Sequence, residues 1–479
     1  MSASQRSQSA ADTAMHYVST RGRAPALPFG DVLLTGLADD GGLYLPERWP
    51  NIVAEVRSSN YVDTAVDIMW PFVEGSIERD AFVEIVTDAY STFENSEVVE
   101  LVQLSPDLWM LELFHGPTLA FKDVALQLVG RLFDHELTKR QRRITIVGAT
   151  SGDTGSAAIE ACRDRDAVDI FILHPHGRVS DVQRRQMTTV DAGNVHNIAI
   201  EGTFDDCQDL VKALFADTAF RDEVRLGAVN SINWARVMGQ IVYYVVAAQR
   251  VNGASAPVSF AVPTGNFGNV FAGWAARSMG LAVDRFCVAS NSNDILTRLF
   301  ETGTMTIEGV EPTLSPSMDI QISSNLERLL FETHGRDGER IADAMAQFRD
   351  TGTLTLDAAH RSLLAETWAG VRVDDEGAGG VLETIQSVSA DTGHVLDPHT
   401  AVGVAAARRI QASRSASSPI VALATAHPAK FPDAVERATG MRPALPGRVG
   451  DLFGRDEKFE VLPNDLRVVQ AHVRANRRS

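Results

Sequence analysis

From about residue 143 the chain repeats one unit: a short apolar or β-branched run, a turn, then a stretch with helical periodicity. The runs fall at residues 144–147, 170–173, 195–200, 226–229, 258–262, 286–289 and 420–424. After the fourth, Ile241, Tyr244, Val245 and Ala248 recur at the spacing of one helix face. Most runs lack the polar alternation of a half-solvated strand. Strands that alternate with helices and are apolar on both faces belong to largely parallel, doubly covered sheets. The pattern predicts an α/β protein.

Three stretches fall outside this rhythm. Residues 1–100 open with an irregular, Gly- and Asp-rich segment at 36–46 and pass into helical periodicity over 61–93. Residues 324–390 read as mostly helical, with Leu329, Leu330, Ala342, Met345, Phe348, Leu363 and Leu364 at core positions. The last stretch has a Pro/Gly break at 443–450 and ends in a charged, partly apolar tail.

Composition removes several classes. At 479 residues the chain is long enough for about three domains. With 44% hydrophobic and 22% charged residues it is globular rather than disordered. A formal net charge of −18 argues against a nucleic-acid or anionic-membrane binder. No apolar run approaches the roughly 18 residues of a membrane span. The opening MSASQRSQSAADTA lacks an apolar signal core and reads as a short flexible tail. Cys162, Cys207 and Cys287 are odd in number and far apart, which suits a reducing cytoplasm better than disulfides or a zinc site; no metal is expected. The cations are skewed: of 44, 39 are Arg and five are Lys (Lys122, Lys139, Lys212, Lys430 and Lys458). Arg cannot supply a primary amine, so amine chemistry needs one of these five.

Five segments carry candidate chemistry. In GPTLAFKD (116–123) a Gly-Pro turn leads into a helix whose first turn holds Lys122. The positive end of a helix disfavours a cation there and makes a neutral, nucleophilic amine more accessible. The plain alternative is a solvated lysine paired with Asp123 or a nearby acid. GATSGDTGS (148–156) and PTGNFGN (263–269) each join a strand to a helix through glycines, presenting unpaired N–H groups to an anion. Neither is a Walker A loop or a GxGxxG fingerprint, and each could equally be a turn that binds nothing. NSINWAR (230–236) joins cap-type Ser231 and Asn233 to Arg236, either a second anion site or a capped helix with a surface Arg. TAHPAKF (425–431) follows the run 420–424, placing Thr425 at a strand's carboxyl end, where open α/β sheets bind ligands. His427 reads as structural.

In combination and chain order these motifs resemble the threonine synthases, pyridoxal-phosphate enzymes of the tryptophan-synthase β-like fold (fold type II). YVSTRG (17–22), LADDGGLYLPE (37–47), EGTFDDCQ (201–208), LSPSMDI (314–320), SSNLERLLFE (323–332) and LDPHTAVGV (396–404) extend the resemblance over nearly the whole chain. It looks like the branch found in many bacteria and fungi. The resemblance implies two α/β lobes with parallel sheets plus an N-terminal domain. That domain would span 1–100, the large cofactor-binding domain 101–130 and 250–479 with a helical insertion at about 324–390, and the small substrate-binding domain 131–249. Lys122 would carry pyridoxal 5'-phosphate. Gly265, Asn266, Phe267, Gly268 and Asn269 would cradle its phosphate, and Thr425 would face its ring nitrogen. Ser151, Gly152, Asp153 and Thr154 would hold the substrate carboxylate, and Ser231, Asn233 and Arg236 the substrate phosphate.

The implied reaction converts O-phospho-L-homoserine and water to L-threonine and phosphate, with Lys122 as the base at the α-carbon. A hydroxyl such as Thr425 does not stabilise a protonated ring nitrogen as a carboxylate would, which favours elimination and replacement over transamination. The released phosphate is a candidate base for the later steps. The nearest rival is a phospho-lyase that releases 2-oxobutyrate and ammonia from the same substrate. A threonine or serine dehydratase would have no use for the extra anion pocket. An NAD-dependent oxidoreductase would carry GxGxxG and a ribose-binding acid, which are lacking. A non-catalytic relative would be expected to have lost Lys122 or the GNFGN loop. A monomer is expected, closing its lobes around the substrate.

Overall fold

The computed structural model describes residues 14–58, 60–227, 231–253, 256–413 and 418–478. The N-terminal tail, Asn230 and the end of the predicted run at 226–229 lie outside the described residues.

The chain opens on a three-stranded antiparallel sheet in which β1 (His16–Ser19) pairs with β2 (Leu27–Pro28) and β3 (Tyr44–Pro46). Helices Tyr61–Val73 and Arg79–Tyr90 complete the N-terminal domain. Asn60 starts the first of them by accepting the N–H of Asp63. An antiparallel hairpin follows, β4 (Glu100–Ser105) and β5 (Leu108–Glu112). Next come the parallel strands β6 (Ile144–Ala149), β7 (Val168–Pro175), β8 (Val195–Glu201) and the short β9 (Leu226–Gly227). The second half supplies β10 (Val258–Pro263), β11 (Val283–Ser290), β12 (Thr304–Thr306), β13 (Thr353–Thr355), β14 (Trp368–Arg372), β15 (Ile420–Ala424) and β16 (Glu460–Pro463).

These strands build two lobes. The larger sheet runs β14-β11-β10-β15-β5-β4 and is parallel except at β4. The smaller, all-parallel sheet runs β16-β8-β7-β6-β9. All residues of β7, β10 and β15 are buried, as strands covered on both faces require. The helix Trp234–Asn252 is buried from Trp234 to Ala248 and largely apolar, with Arg236 and Gln240 as its buried polar side chains. It packs on helices Tyr61–Val73, Lys122–Lys139 and Gly268–Ser278. Helix Lys122–Lys139 in turn crosses helix Asp153–Cys162 at Gly130, where a Cβ would come within 2.2 Å of the Ala161 carbonyl oxygen. No helix among the described residues is long and apolar enough to cross a membrane.

Three placements depart from the sequence reading. The hairpin β4–β5 was not predicted, and β5 lies inside the larger sheet. The stretch 324–390 is helical as expected, yet it also contains β13 and β14, and β14 forms the edge of the larger sheet beside β11. Within it Leu329, Leu330, Phe348 and Leu364 are buried, Ala342 and Met345 half-buried, and Leu363 is exposed. Last, 250–479 does not stay in the large lobe. β16 pairs with β8, and Val469 and Val473 of helix Leu466–Asn476 pack with Leu210 and Leu214 of the small lobe.

Candidate active site

At the carboxyl end of the larger sheet, the segment after β5 is stitched to the segment after β15. The Phe121 N–H donates to the Thr425 carbonyl at 2.8 Å, the His427 N–H donates to the Leu119 carbonyl at 3.0 Å, and Ala120 bridges Ala426. This seam fixes Lys122 as the first residue of its helix, 8% exposed. Asp123 faces away: it accepts the Thr118 N–H and hydroxyl, each at 2.7 Å. Burial raises the Asp123 carboxyl to about 6, against the pull of those two hydrogen bonds and of Lys430. Lys122 is therefore neither solvated nor paired with its neighbour.

Its partner comes from the other lobe. After β6, Thr150 Oγ1 accepts the N–H groups of Gly152 (3.0 Å) and Gly155 (2.9 Å), curling the loop into helix Asp153–Cys162. Gly152 sits at φ 152°, and a Cβ there would meet the Gln183 side chain at 2.4 Å. The loop delivers Asp153 between two lysines: Oδ2 is 3.4 Å from Lys122 Nζ, and Oδ1 is 2.8 Å from Lys430 Nζ. Gln183 Nε2 also donates to Oδ1 at 2.8 Å. The Thr118 carbonyl receives both Lys430 Nζ (2.7 Å) and Gln186 Nε2 (3.0 Å). Burial pushes the Lys122 amine below the ordinary lysine value; Asp153 opposes this, while Lys430 and Arg236 add to it. For Asp153, burial is outweighed by Lys430 and then Lys122, which hold the carboxylate ionised well below its usual range.

Two further segments that lead into helices carry candidate residues. After β10, the carbonyl of Gly265 accepts from Ser323 Oγ (2.6 Å), and that of Asn266 from the N–H (3.1 Å) and Nδ2 (2.8 Å) of Asn325. Phe267 takes the left-handed conformation at φ 63°, its ring stacked on Trp368. With the carbonyls committed, the N–H groups of Gly265, Asn266, Phe267, Gly268 and Asn269 have no acceptor among the described residues. Asn269 Oδ1 is held by the hydroxyls of Tyr243 (2.6 Å) and Tyr244 (2.9 Å), while its buried Nδ2 has no partner.

The other loop starts the central helix. Asn233 caps it by accepting the Ala235 N–H (3.0 Å) and donates to the Leu33 carbonyl (2.8 Å). Trp234 packs among Tyr17, Trp49 and Phe72, so the N-terminal domain grips this helix end. Arg236 follows, 5% exposed, and its Nε and Nη1 have no partner. Burial lowers it to about 10, so it remains a cation at neutral pH.

Lys122 and Asp153 are in direct contact, Arg236 bears on the charge of Lys122, the Thr425 carbonyl is bonded to the Phe121 N–H beside Lys122, and Asn325 Nδ2 links the Ser231 carbonyl to the Asn266 carbonyl of the 265–269 loop. Asn233 is present but spends its amide on structure. Lys430 is fully buried beside Asp153. Thr150, Gln183 and Gln186 were missed; the amides at 183 and 186, one helical turn apart, were the available signal. His427 Nδ1 accepts the Ala429 N–H at 3.1 Å.

Family models match along the whole architecture: "Threonine synthase N terminus" at residues 16–90, "Pyridoxal-phosphate dependent enzyme" at 92–426 and "Threonine synthase, C-terminal" at 400–473. The threonine synthase of Pseudomonas aeruginosa is 54% identical over 464 residues, covering 96% of this chain and 98% of its own. This chain belongs to the threonine synthase family. Among solved members of that family, the pyridoxal-phosphate-bound threonine synthase of Brucella melitensis is 50% identical with a TM-score of 0.94, covering 97% of this chain and 100% of its own. The yeast enzyme is 38% identical with a TM-score of 0.92, covering 97% and 99%. The fold is therefore fold type II, and the cofactor of the family is pyridoxal phosphate.

The residues present fit that cofactor. A buried lysine with a lowered amine pKa, five N–H groups without an acceptor among the described residues at a helix N-terminus and a hydroxyl at a strand end are the groups that would supply an attachment point, a phosphate cradle and a ring-nitrogen partner.

Proposed function

We propose that this chain converts O-phospho-L-homoserine and water to L-threonine and phosphate. The observation that carries the reading is Arg236, a buried guanidinium with two unpartnered nitrogens close enough to Lys122 to affect its charge. The 265–269 loop already provides for the phosphate of the cofactor. Arg236 is therefore a second anion site, as a phosphorylated amino-acid substrate requires and a dehydratase does not.

Pyridoxal phosphate, when bound at Lys122, supplies the electron sink that makes the α- and β-protons of the substrate labile. The remaining work falls to the chain. The Lys122 amine, held below the ordinary lysine value mainly by burial, takes the α-proton and later returns it. The N–H groups of Ser151, Asp153 and Thr154, at the start of helix Asp153–Cys162 and without an acceptor among the described residues, hold the substrate carboxylate. Gly152 makes their turn possible. Arg236 with Ser231 holds the phosphate through its departure from Cγ, and Asn233 positions Arg236 by fixing the helix start. The oxygen of water ends on Cβ. Gly265, Asn266, Phe267, Gly268 and Asn269 keep the cofactor phosphate, and Thr425 meets its ring nitrogen.

The working unit is taken to be a monomer. The net charge of −18 argues against a nucleic-acid partner, and the buried free thiols support a reducing compartment such as the cytoplasm. The test is to supply pyridoxal phosphate and O-phospho-L-homoserine and measure phosphate and threonine together. Equal amounts are expected; phosphate with 2-oxobutyrate would make the protein a phospho-lyase, and neither product would overturn the reading.

A further inference from the structure

Two ammonium groups share one carboxylate in the interior between the lobes. Lys430 has no exposure at all, and its Nζ is fixed by Asp153 Oδ1 (2.8 Å) and the Thr118 carbonyl (2.7 Å). Lys122 meets the other oxygen at the longer 3.4 Å. A buried lysine with no outlet to water is costly to keep, and nothing in the reaction above uses Lys430. We propose that Lys430 is a positioning residue for Lys122: by taking the closer oxygen of Asp153, it locks the small-lobe loop to the large lobe and keeps Asp153 from pairing with Lys122 alone. The proposal rests on the reading of Lys122 as the working amine.

The groups around Lys122 set the direction. On its own helix stands Asp123, turned toward Thr118. Helix Asp153–Cys162 contributes Asp153 and, further off, Glu160, whose charge bears on Asp123. The segment after β15 contributes Lys430, and the central helix contributes Arg236. Gln183, on helix Asp181–Thr188, is neutral. An undivided carboxylate a few ångströms from an amine favours the ammonium form, which is no base. A carboxylate already committed to Lys430 exerts less of that pull, while the Lys430 charge opposes a second cation. Loss of Lys430 should therefore keep Lys122 protonated at neutral pH, and loss of Asp153 should do the reverse. A part that only holds the fold together would not produce opposite signs.

The experiment labels the full-length, cofactor-free chain with acetic anhydride at a series of pH values and follows the Lys122 peptide by mass spectrometry. Only the neutral amine reacts. Lys430→Met is expected to label about tenfold more slowly than wild type at pH 7, a change of about one unit in the amine's midpoint. Asp153→Asn should label about tenfold faster. The double variant should return to within about threefold of wild type, since each change removes what the other unbalances. Wild-type labelling in Lys430→Met, or a shift of both single variants in the same direction, would overturn the proposal. Should Lys430→Met fail to fold, Asp153→Asn decides: faster labelling supports the proposal, and unchanged or slower labelling overturns it. Threonine formation is scored separately, so a failed activity would count against the function and not against these midpoints.

Discussion

Arg236 and Arg328 are both buried, and both flank the start of the central helix. Arg328 is saturated: Nε and Nη2 donate to the Tyr44 carbonyl at 3.1 and 2.9 Å, Nη2 also to the Ile232 carbonyl at 2.7 Å, and Nη1 to Asn325 Oδ1. Arg236 leaves Nε and Nη1 empty. Burial pushes them to about 9 and about 10, so both are cations at neutral pH. Burial and charge are common to both arginines; the unspent donors of Arg236 are what set it apart as the proposed anion site. Arg328 ties the N-terminal domain, the 231–233 turn and the Asn325 clamp into one frame, and that frame aims Arg236.

The contrast breaks most sharply at Arg236. Arg236→Met should cut kcat/KM for O-phospho-L-homoserine by about a thousandfold, a charge-assisted anion contact of about 4 kcal/mol. Its thermal stability without ligand should stay level or rise, because an unpartnered buried cation is gone. Arg328→Met should do the opposite in kind, costing about 3 kcal/mol in denaturant unfolding by orphaning buried carbonyls. Inorganic phosphate sharpens the comparison further. At a hundredfold its Kd it should stabilise wild type and Arg328→Lys by about 2.7 kcal/mol each, and Arg236→Met by much less, read as Tm. The smallest effect lies away from both arginines. His174 is buried with both ring nitrogens unpartnered, and burial lowers it to about 4. The unfolded chain takes up that proton near pH 6.5, so the stability His174 contributes is full above that pH and is lost as pH falls toward 4, roughly 2 kcal/mol by pH 5. His174→Phe should flatten that limb of the pH–stability curve while the behaviour of the two arginines persists.

The strands of the two parallel sheets were legible because burial on both faces leaves continuous apolar runs, such as 258–262 and 420–424. The hairpin β4–β5 and the edge strand β14 were not, since half-covered strands mix polar residues into short segments and lack that mark. The return of β16 to the small lobe depends on pairing across more than 250 residues, which no local pattern encodes. At the site, glycine loops and the first-turn lysine were readable because backbone geometry demands particular residues there. Lys430 and Gln183 were not, because their role exists only once two lobes bring them to Asp153. Arg236 was readable as a candidate, but its unspent donors belong to three dimensions.

The central claim is that phosphate leaves with its ester oxygen from carbon and that water enters at Cβ. Running the reaction in ¹⁸O-labelled water tests it directly. Label is expected in the threonine hydroxyl and none in the released phosphate. Label in phosphate, with homoserine as the product, would mean simple hydrolysis of the ester and would contradict it.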